Sequence, residues 1–192
     1  MAITAANILA ATNAALERKE IDINDQIRAT LFDLSSREDF LTREAIRNTV
    51  AGEYIYSMPE NFKDMSIIKL DDRRPLQKIT FETLQRYHAN TTQTGEPGYY
   101  ALKNNYLWLD IIPDGIYEMR MWYSIYHPDD ITDILFADEF REAIYEGTIS
   151  RVCQKFEDWQ GTKMHLDLYE KHVEVRKRAM EKTLHCQKYN DL

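Results

Sequence analysis

The sequence predicts an α+β fold, mainly a helical bundle, in which helices at both ends of the chain flank a central antiparallel β module. Apolar residues recur at helical spacing in the first forty residues and again after His127-Pro128. Between residues 45 and 126 lie four of the five prolines and four of the six glycines, among many β-branched and aromatic residues. We expect a single domain over 1–192, with helices in 1–44, a β-rich module in 45–127, C-terminal helices in 128–185 and a flexible tail in 186–192.

A pair of helices is predicted at the N-terminal end. Residues 2–18 are rich in alanine, which has the highest helix propensity of any residue. Asn24 is a suitable N-cap for a second helix. The apolar residues around it return every three or four positions, as on one face of a helix: Ile23, Ile27, Leu31 and Leu34.

The first half of the β module is predicted to contain a strand over 46–56 and then a hairpin. The hairpin strands are expected over 66–70 and 76–80, because the polar residues Asp71, Asp72, Arg73 and Arg74 between them are typical of a turn. A short helix should start near Thr80 and end at Tyr87. Its buried face is expected to consist of Phe81, Leu84 and Tyr87.

The second half of the module contains a clear hairpin signal. Asn104-Asn105 separates two strands, over 98–102 and 106–112, and asparagine tolerates the positive φ of a two-residue hairpin turn. A return strand follows over 116–125. Apolar residues such as Met119, Met121 and Tyr123 alternate there with polar ones, which indicates a half-buried antiparallel strand. Trp122 interrupts the polar face and is therefore a candidate interface residue.

Two helices are predicted after Pro128, and together they form an αα-hairpin. The first spans 138–159 and ends at Gly161, a residue typical of helix C-termini. The second opens at Thr162 and presents a charged outer face. Their expected buried residues are Phe140, Ile144, Thr148, Val152 and Phe156 on the first helix, and Leu166, Tyr169, Val173, Met180 and Leu184 on the second.

Composition excludes several classes of protein. The chain has 24 Lys and Arg against 32 Asp and Glu, a formal net charge of −8, which argues against a protein that grips nucleic acid by neutralising phosphates. No segment approaches the ~18 to 20 apolar residues of a membrane span, and Met1 to Ala15 lacks the basic region of a signal peptide. Cys153 and Cys186 form no Cys-x-x-Cys pair, so we expect neither a disulfide framework nor a zinc knuckle.

The sequence also lacks the motifs of enzymes that are recognisable from sequence. It has no glycine-rich phosphate loop, no Gly-x-Ser-x-Gly and no His-Glu-x-x-His. His165 and His172 share a helix face, but no nearby carboxylate or thiol completes a metal site. The pairs Asp71-Asp72 and Asp129-Asp130 lie where turns and helix starts ordinarily use aspartate. We therefore expect no catalytic residues, no bound metal and no cofactor.

The order of motifs along the chain resembles that of the head-to-tail adaptor proteins of tailed bacteriophages, also called head-completion or connector proteins. The motifs that carry the resemblance cover nearly the whole chain. They are Ile27 and Leu31 before the run from Ser36 to Phe40, the segment from Asn48 to Phe62, Leu76 with Ile79-Thr80, Gly95 to Tyr100, Leu107-Trp108-Leu109 before Pro113-Asp114-Gly115, Tyr117 to Tyr123, and Tyr169-Glu170 before a basic terminal helix.

The resemblance implies a structural protein of the virion neck, present in the host cytoplasm during assembly. Commonly twelve copies form a ring beneath the portal, bind the next neck or tail protein and let double-stranded DNA pass, without a membrane. Portal contact is expected from the C-terminal end, through Tyr189 and Leu192. Tail-side contact is expected at the two polar turns, through Asn104, Asn105, Asp71 and Asp72. The candidates for contacts between subunits are Trp122, Tyr99, Tyr100 and Trp108.

A second function remains open from the residues alone. Aromatic side chains cluster around the predicted hairpin, and aromatic residues are enriched at protein interfaces. The chain could instead be a small non-catalytic module that uses this aromatic β surface to bind a single peptide or protein. Such a module would form a fixed 1:1 complex, whereas an adaptor would form a ring.

Overall fold

The computed structural model describes residues 3–17, 22–88 and 93–190, with side chains in the same ranges except at residue 88 and beyond residue 182. Within these ranges the fold is α+β, as predicted, with helices at both ends of the chain and sheets between them. The chain divides into two compact units. A helical unit contains residues 1–41 and 127–192, and a β unit contains residues 42–126. The expectation of one domain stays a prediction.

The helical unit contains four α-helices in its described residues. The first two are α1 (Ala5–Leu16) and α2 (Asn24–Arg37). Thr4 caps α1 by accepting a hydrogen bond from the Asn7 N–H. Asn24 is the first residue of α2 rather than its cap; the capping position is Ile23, and the Asn24 N–H donates to Oδ1 of Asp22 at 2.9 Å. Ile27, Leu31 and Leu34 are buried, as the helical spacing predicts.

The other two helices of this unit follow a 3₁₀ turn at Asp138–Phe140. Helix α4 spans Arg141–Lys155 and α5 spans Trp159–Asn190. We expected Gly161 to end the first of these helices, and this prediction is wrong. Gly161 lies in the first turn of α5, where its N–H donates to Oδ1 of Asp158 at 2.9 Å. The chain reverses instead at Glu157, whose φ of 59° is left-handed. Helix α5 continues through part of the predicted tail, 186–192, whose mobility stays a prediction.

Close packing among α2, α4 and α5 depends on one glycine. The buried residues Ile144, Thr148 and Val152 of α4 lie in line, as predicted. A Cβ atom at Gly147 would lie 2.7 Å from Cγ2 of Thr30 on α2 and 3.0 Å from Cδ2 of Tyr169 on α5. A glycine at this position therefore lets both neighbouring helices approach the α4 backbone.

The β unit contains nine strands and one helix in its described residues. The strands are β1 (Thr42–Asn48), β2 (Ile55–Ser57), β3 (Phe62–Leu70), β4 (Gln77–Lys78), β5 (Thr94–Gly95), β6 (Tyr99–Lys103), β7 (Tyr106–Leu109), β8 (Ile112–Pro113) and β9 (Glu118–Ile125), with α3 at Phe81–His88. A three-stranded antiparallel sheet has the order β1-β9-β3, a four-stranded sheet has the order β2-β7-β6-β4, and β5 pairs with β8.

Strand pairing agrees with the sequence where partners are close along the chain. The β6–β7 hairpin forms as predicted, and Asn104 and Asn105 have φ of 52° and 62°. The predicted hairpin over 66–70 and 76–80 forms only at its turn, where Lys69 and Pro75 make an antiparallel bridge and the Leu76 N–H donates to the Ile68 carbonyl at 2.9 Å. Beyond the turn the prediction is wrong, since β3 pairs with β9 and β4 pairs in parallel with β6. The predicted strand over 46–56 is split into β1 and β2 by a turn in which the Glu53 N–H donates to the Val50 carbonyl.

The alternation predicted for β9 is confirmed. Met119, Met121 and Tyr123 are buried, whereas Arg120 and Trp122 point to the opposite face. In α3, Leu84 is buried as predicted, but Tyr87 is 52% exposed. The Tyr87 ring stacks on Tyr99 instead of entering the core, with ring centroids 6.1 Å apart.

We expect Gly147→Ala to destabilise the helical unit. The added methyl group raises helix propensity by about 1 kcal/mol, but overpacking a buried site costs about 1–3 kcal/mol. A net loss of up to ~2 kcal/mol should therefore appear in the free energy of unfolding, measured by urea titration. Gly98→Ala is the control, because its Cβ would meet no atom nearer than 3.9 Å. Equal stability of the two variants would contradict the close approach.

Candidate interaction surface

The predicted tail-side residues occupy two turns of the same type. Asp71 and Asp72 have φ of 48° and 55°, and the Arg73 N–H donates to the Leu70 carbonyl at 2.9 Å. Asn104 and Asn105 have the same pair of positive φ values between β6 and β7. Short polar side chains tolerate this conformation, which explains why the sequence has aspartate and asparagine at these four positions.

Three of these four residues interact with their own chain: Asp71 and Asn105 through hydrogen bonds, and Asp72 through an ion pair with Arg120 at 3.4 Å. Oδ1 of Asp71 accepts from the Glu118 N–H at 2.8 Å. Nδ2 of Asn105 donates to the carbonyls of Met58 and Pro59 at 3.3 and 3.1 Å. These bonds fix the turns, while Asn104 and Asp72 remain exposed at their tips. Contact of the turns with a partner stays a prediction.

The aromatic residues of the β6–β7 hairpin mostly contact one another. Trp108 is half-buried and lies edge-on to Phe81 and Tyr54, with ring centroids 5.1 and 6.0 Å apart. Tyr100 is only 3% exposed, so it packs inside its own unit and presents no surface to a neighbour. Burial, together with the nearby charge of Asp64, raises the pKa of Tyr100 to about 12. The half-buried Tyr99 is the partner of Tyr87.

Trp122 lies at the centre of an apolar area on the outer face of the three-stranded sheet. The register places Glu44 and Ile67 on either side of Trp122, and Ile46 beside Arg120. Ile46 is 56% exposed and Ile67 is 43% exposed, while Trp122 is half-buried. The outer face of an antiparallel sheet is ordinarily polar. We call these three residues, Ile46, Ile67 and Trp122, the Trp122 face.

Charged side chains surround the Trp122 face. The guanidinium of Arg120 lies 3.2 Å from Glu118, 3.4 Å from Asp72 and 3.7 Å from Glu44. Nζ of Lys69 lies 5.7 Å from the centre of the Trp122 ring. An apolar centre within a polar rim is the usual anatomy of a protein interface. The arrangement can bind a protein surface, and it has no group poised for bond chemistry.

Sequence reasoning identified Trp122 but missed its neighbours. The broken alternation of β9 singles out Trp122 locally, whereas Ile46 and Ile67 join it only through pairing with distant strands. The structure describes neither of the predicted portal-binding side chains. Only the backbone of Tyr189 lies within the described residues, and Leu192 lies outside them.

A second cluster, in the helical unit, joins three helices around Asp33 of α2. Oδ2 of Asp33 accepts from the Tyr169 hydroxyl of α5 at 2.7 Å and lies 3.2 Å from a guanidinium nitrogen of both Arg37 and Arg151. Burial opposes ionisation of Asp33, but hydrogen bonds from Tyr169 and Arg37 outweigh it and lower the pKa of the carboxyl. Burial and the bond to Asp33 raise the pKa of Tyr169. We call Asp33, Arg37, Arg151 and Tyr169 the Asp33 cluster.

The Asp33 cluster links α2, α4 and α5. The Arg37 guanidinium lies 5.0 Å above the Tyr169 ring and also pairs with Glu170 at 2.5 Å. Nδ1 of His165 on α5 lies 2.6 Å from a carboxylate oxygen of Glu146 on α4, a contact that the sequence did not predict. Across the described ranges, no group of three or more His, Cys, Asp or Glu could hold a metal ion. No helix in those ranges is long and apolar enough to cross a membrane.

The comparison with known families agrees with the resemblance seen in the sequence. Residues 3–183 match the model of the SU10 adaptor protein family. Because the match covers nearly the whole chain, the chain belongs to this family of phage head-to-tail adaptors. Membership indicates a structural protein of the phage neck, with portal and tail proteins as its general partners. No curated protein matches the sequence.

We expect Asp33→Asn to lower the free energy of unfolding by about 2 kcal/mol at pH 7, because it leaves two arginines without their shared carboxylate. The pKa of Asp33 is lower in the folded than in the unfolded chain, so its stabilisation is complete above the ordinary value of 3.8 and is lost as pH falls further. The gap between variant and wild type in urea titrations should therefore close below about pH 4.

The matched control is Asp25→Asn on the same helix. Asp25 pairs with Arg28 at 3.0 Å, but its side chain is 89% exposed. Exposed ion pairs contribute about 0–1 kcal/mol, so this variant should change little at any pH. If the two variants behave alike, Asp33 does not hold the three helices together.

Proposed function

We propose that this SU10-family adaptor forms a ring beneath the portal, joins head to tail and lets genome DNA pass through its centre. The observation that carries the proposal is the family match over residues 3–183. Twelve copies are the expected number. The Trp122 face supports the proposal, since a ring subunit needs exposed apolar surface to bind its neighbours.

The Trp122 face is proposed as one of two subunit contacts. A head-to-tail ring repeats a pair of unlike patches around its axis, so each copy needs two complementary surfaces. Ile46, Ile67 and Trp122 form one such surface. Tyr99 and Trp108 are proposed at the other, because both are only half-buried within their own chain. Tyr100 is not included because it is buried within its own chain.

Portal and tail contacts are proposed on different segments of the chain. Tyr189 and Leu192 are proposed as apolar anchors on the portal, on a polar terminal segment that is fixed on assembly. The exposed tips Asn104 and Asp72 are proposed to meet the next neck or tail protein. Asp71 and Asn105 contribute by holding those tips in place, through their bonds to Glu118 and Met58.

The acidic composition suits a channel through which DNA slides. Twelve copies at −8 each would carry 12 × −8, about −96 formal charges. Duplex DNA carries one negative charge per roughly 1.7 Å of its axis, so acidic walls repel it along the whole path. This repulsion is screened within about 8 Å at physiological salt. A lumen of this kind offers DNA no strong binding site at which to stall.

The assembly proposal predicts a ring-sized mass that depends on the Trp122 face. Native mass spectrometry of the chain with purified portal should show a complex of many copies, and Trp122→Ser should abolish it while circular dichroism remains unchanged. Trp159→Ser is the control, since Trp159 is 66% exposed but lies on α5. A fixed 1:1 complex with one ligand would instead favour the single-partner binding module.

The portal assignment predicts that deleting residues after Leu184 leaves a folded protein that no longer completes heads. The truncation removes both proposed anchors and keeps every buried residue of the described part of the chain. Thermal unfolding should be nearly unchanged, while the yield of DNA-filled particles with tails should fall at least about tenfold, as for loss of an anchored contact. A normal yield of particles would refute the portal role of this segment.

A further inference from the structure

Strand β1 presents an open edge to solvent. It pairs with β9 along its whole length, and in the described part of the chain no strand pairs with its other side. Six of its seven residues are exposed. Unpaired N–H and C=O groups along such an edge can accept another strand.

An apolar groove lies directly beside this edge, within the β unit. Its volume is about 440 Å³, which is enough for a large side chain. Its lining includes Ala45 of β1, Met58, and Met119, Met121 and Tyr123 of β9. Ala45 is small and half-buried, so it leaves an opening between the edge and the groove. Methionine side chains adapt their shape to an incoming group.

Two arginines flank this opening. The register places Arg43, Ala45 and Arg47 opposite Tyr123, Met121 and Met119, so all three lie on the groove side of β1. Arg47 lies 4.9 Å above the Tyr56 ring and donates to the Ser57 carbonyl at 3.4 Å. Within the described residues, neither Arg43 nor Arg47 is paired with a carboxylate, although the chain has a net charge of −8.

We propose that this edge binds an extended segment of a partner protein with the pattern acid-x-apolar-x-acid. The segment adds to the sheet as a strand beside β1, and its apolar side chain passes Ala45 into the methionine-lined groove. Its two carboxylates pair with Arg43 and Arg47, since residues two apart in a strand point to the same face. The pattern is the same in both chain directions, so a parallel or an antiparallel strand satisfies it.

Charge disfavours a second β1 strand as the occupant. In an antiparallel pair centred on Ala45, Arg43 of one copy would face Arg47 of the other. Like charges directly opposite one another destabilise strand pairing. The partner segment is therefore acidic and distinct from β1, and this inference does not depend on ring formation.

The proposal is tested with a synthetic peptide, acetyl-Thr-Glu-Thr-Leu-Thr-Glu-Thr-amide, titrated calorimetrically into the full chain. We expect binding, together with slower hydrogen exchange of the β1 amides. The same peptide with lysine in place of both glutamates should bind at least about tenfold more weakly. In the double variant Arg43→Glu and Arg47→Glu, this preference should reverse.

Arg74→Glu is the control variant, because Arg74 is an exposed arginine of the same unit outside the groove. It should bind the glutamate peptide as the wild type does. Several results would overturn the proposal: no binding at millimolar peptide, equal binding of both peptides, binding that Arg43→Glu and Arg47→Glu leave unchanged, or binding without protection of β1. Self-association that the double variant abolishes would also overturn it, since a second copy would then occupy the edge.

Discussion

The β unit depends on strand β9, which pairs with β1 along one edge and with β3 along the other. On one face of β9, Met119, Met121 and Tyr123 lie in the core. On the opposite face, Arg120 and Trp122 lie on the outer surface of the sheet. Because β1 and β3 pair with β9 over its length, a slip of one residue in register would exchange the two faces. Core packing and the Trp122 face are therefore specified together, since each requires the same alternation.

Local chemistry accounts for the parts of the fold that the sequence predicts well. Asn104-Asn105 selects a tight hairpin, and helical spacing around Leu31 and Val152 places both residues in the core. Pairing between distant strands has no such local signal. The turn at Asp71-Asp72 predicted a hairpin, but only the bridge between Lys69 and Pro75 forms across it. The Asp71 carboxylate accepts from the Glu118 N–H at the start of β9, the distant strand with which β3 pairs.

The candidate surface was predicted only in part, for a similar reason. Adjacent residues in a strand point to opposite faces, so in a sheet with one buried face only one of Tyr99 and Tyr100 can be exposed, and the sequence does not tell which is buried. Trp122 is identifiable because it breaks an alternation within its own strand. Ile67 becomes part of the same surface only after β3 has paired with β9, which requires contacts over more than fifty residues of chain.

The β unit is an insertion between two segments that build one helical unit, and this order has a consequence for folding during synthesis. Helices α1 and α2 emerge before their partner α4 exists, so the faces that pack on α4 stay uncovered until translation has passed Lys155. The inserted strands can pair first, and the register of Thr42 with Ser124 then brings the two ends of the insertion together. That closure shortens the effective loop between α2 and α4 and lowers the entropy lost when the bundle finally assembles.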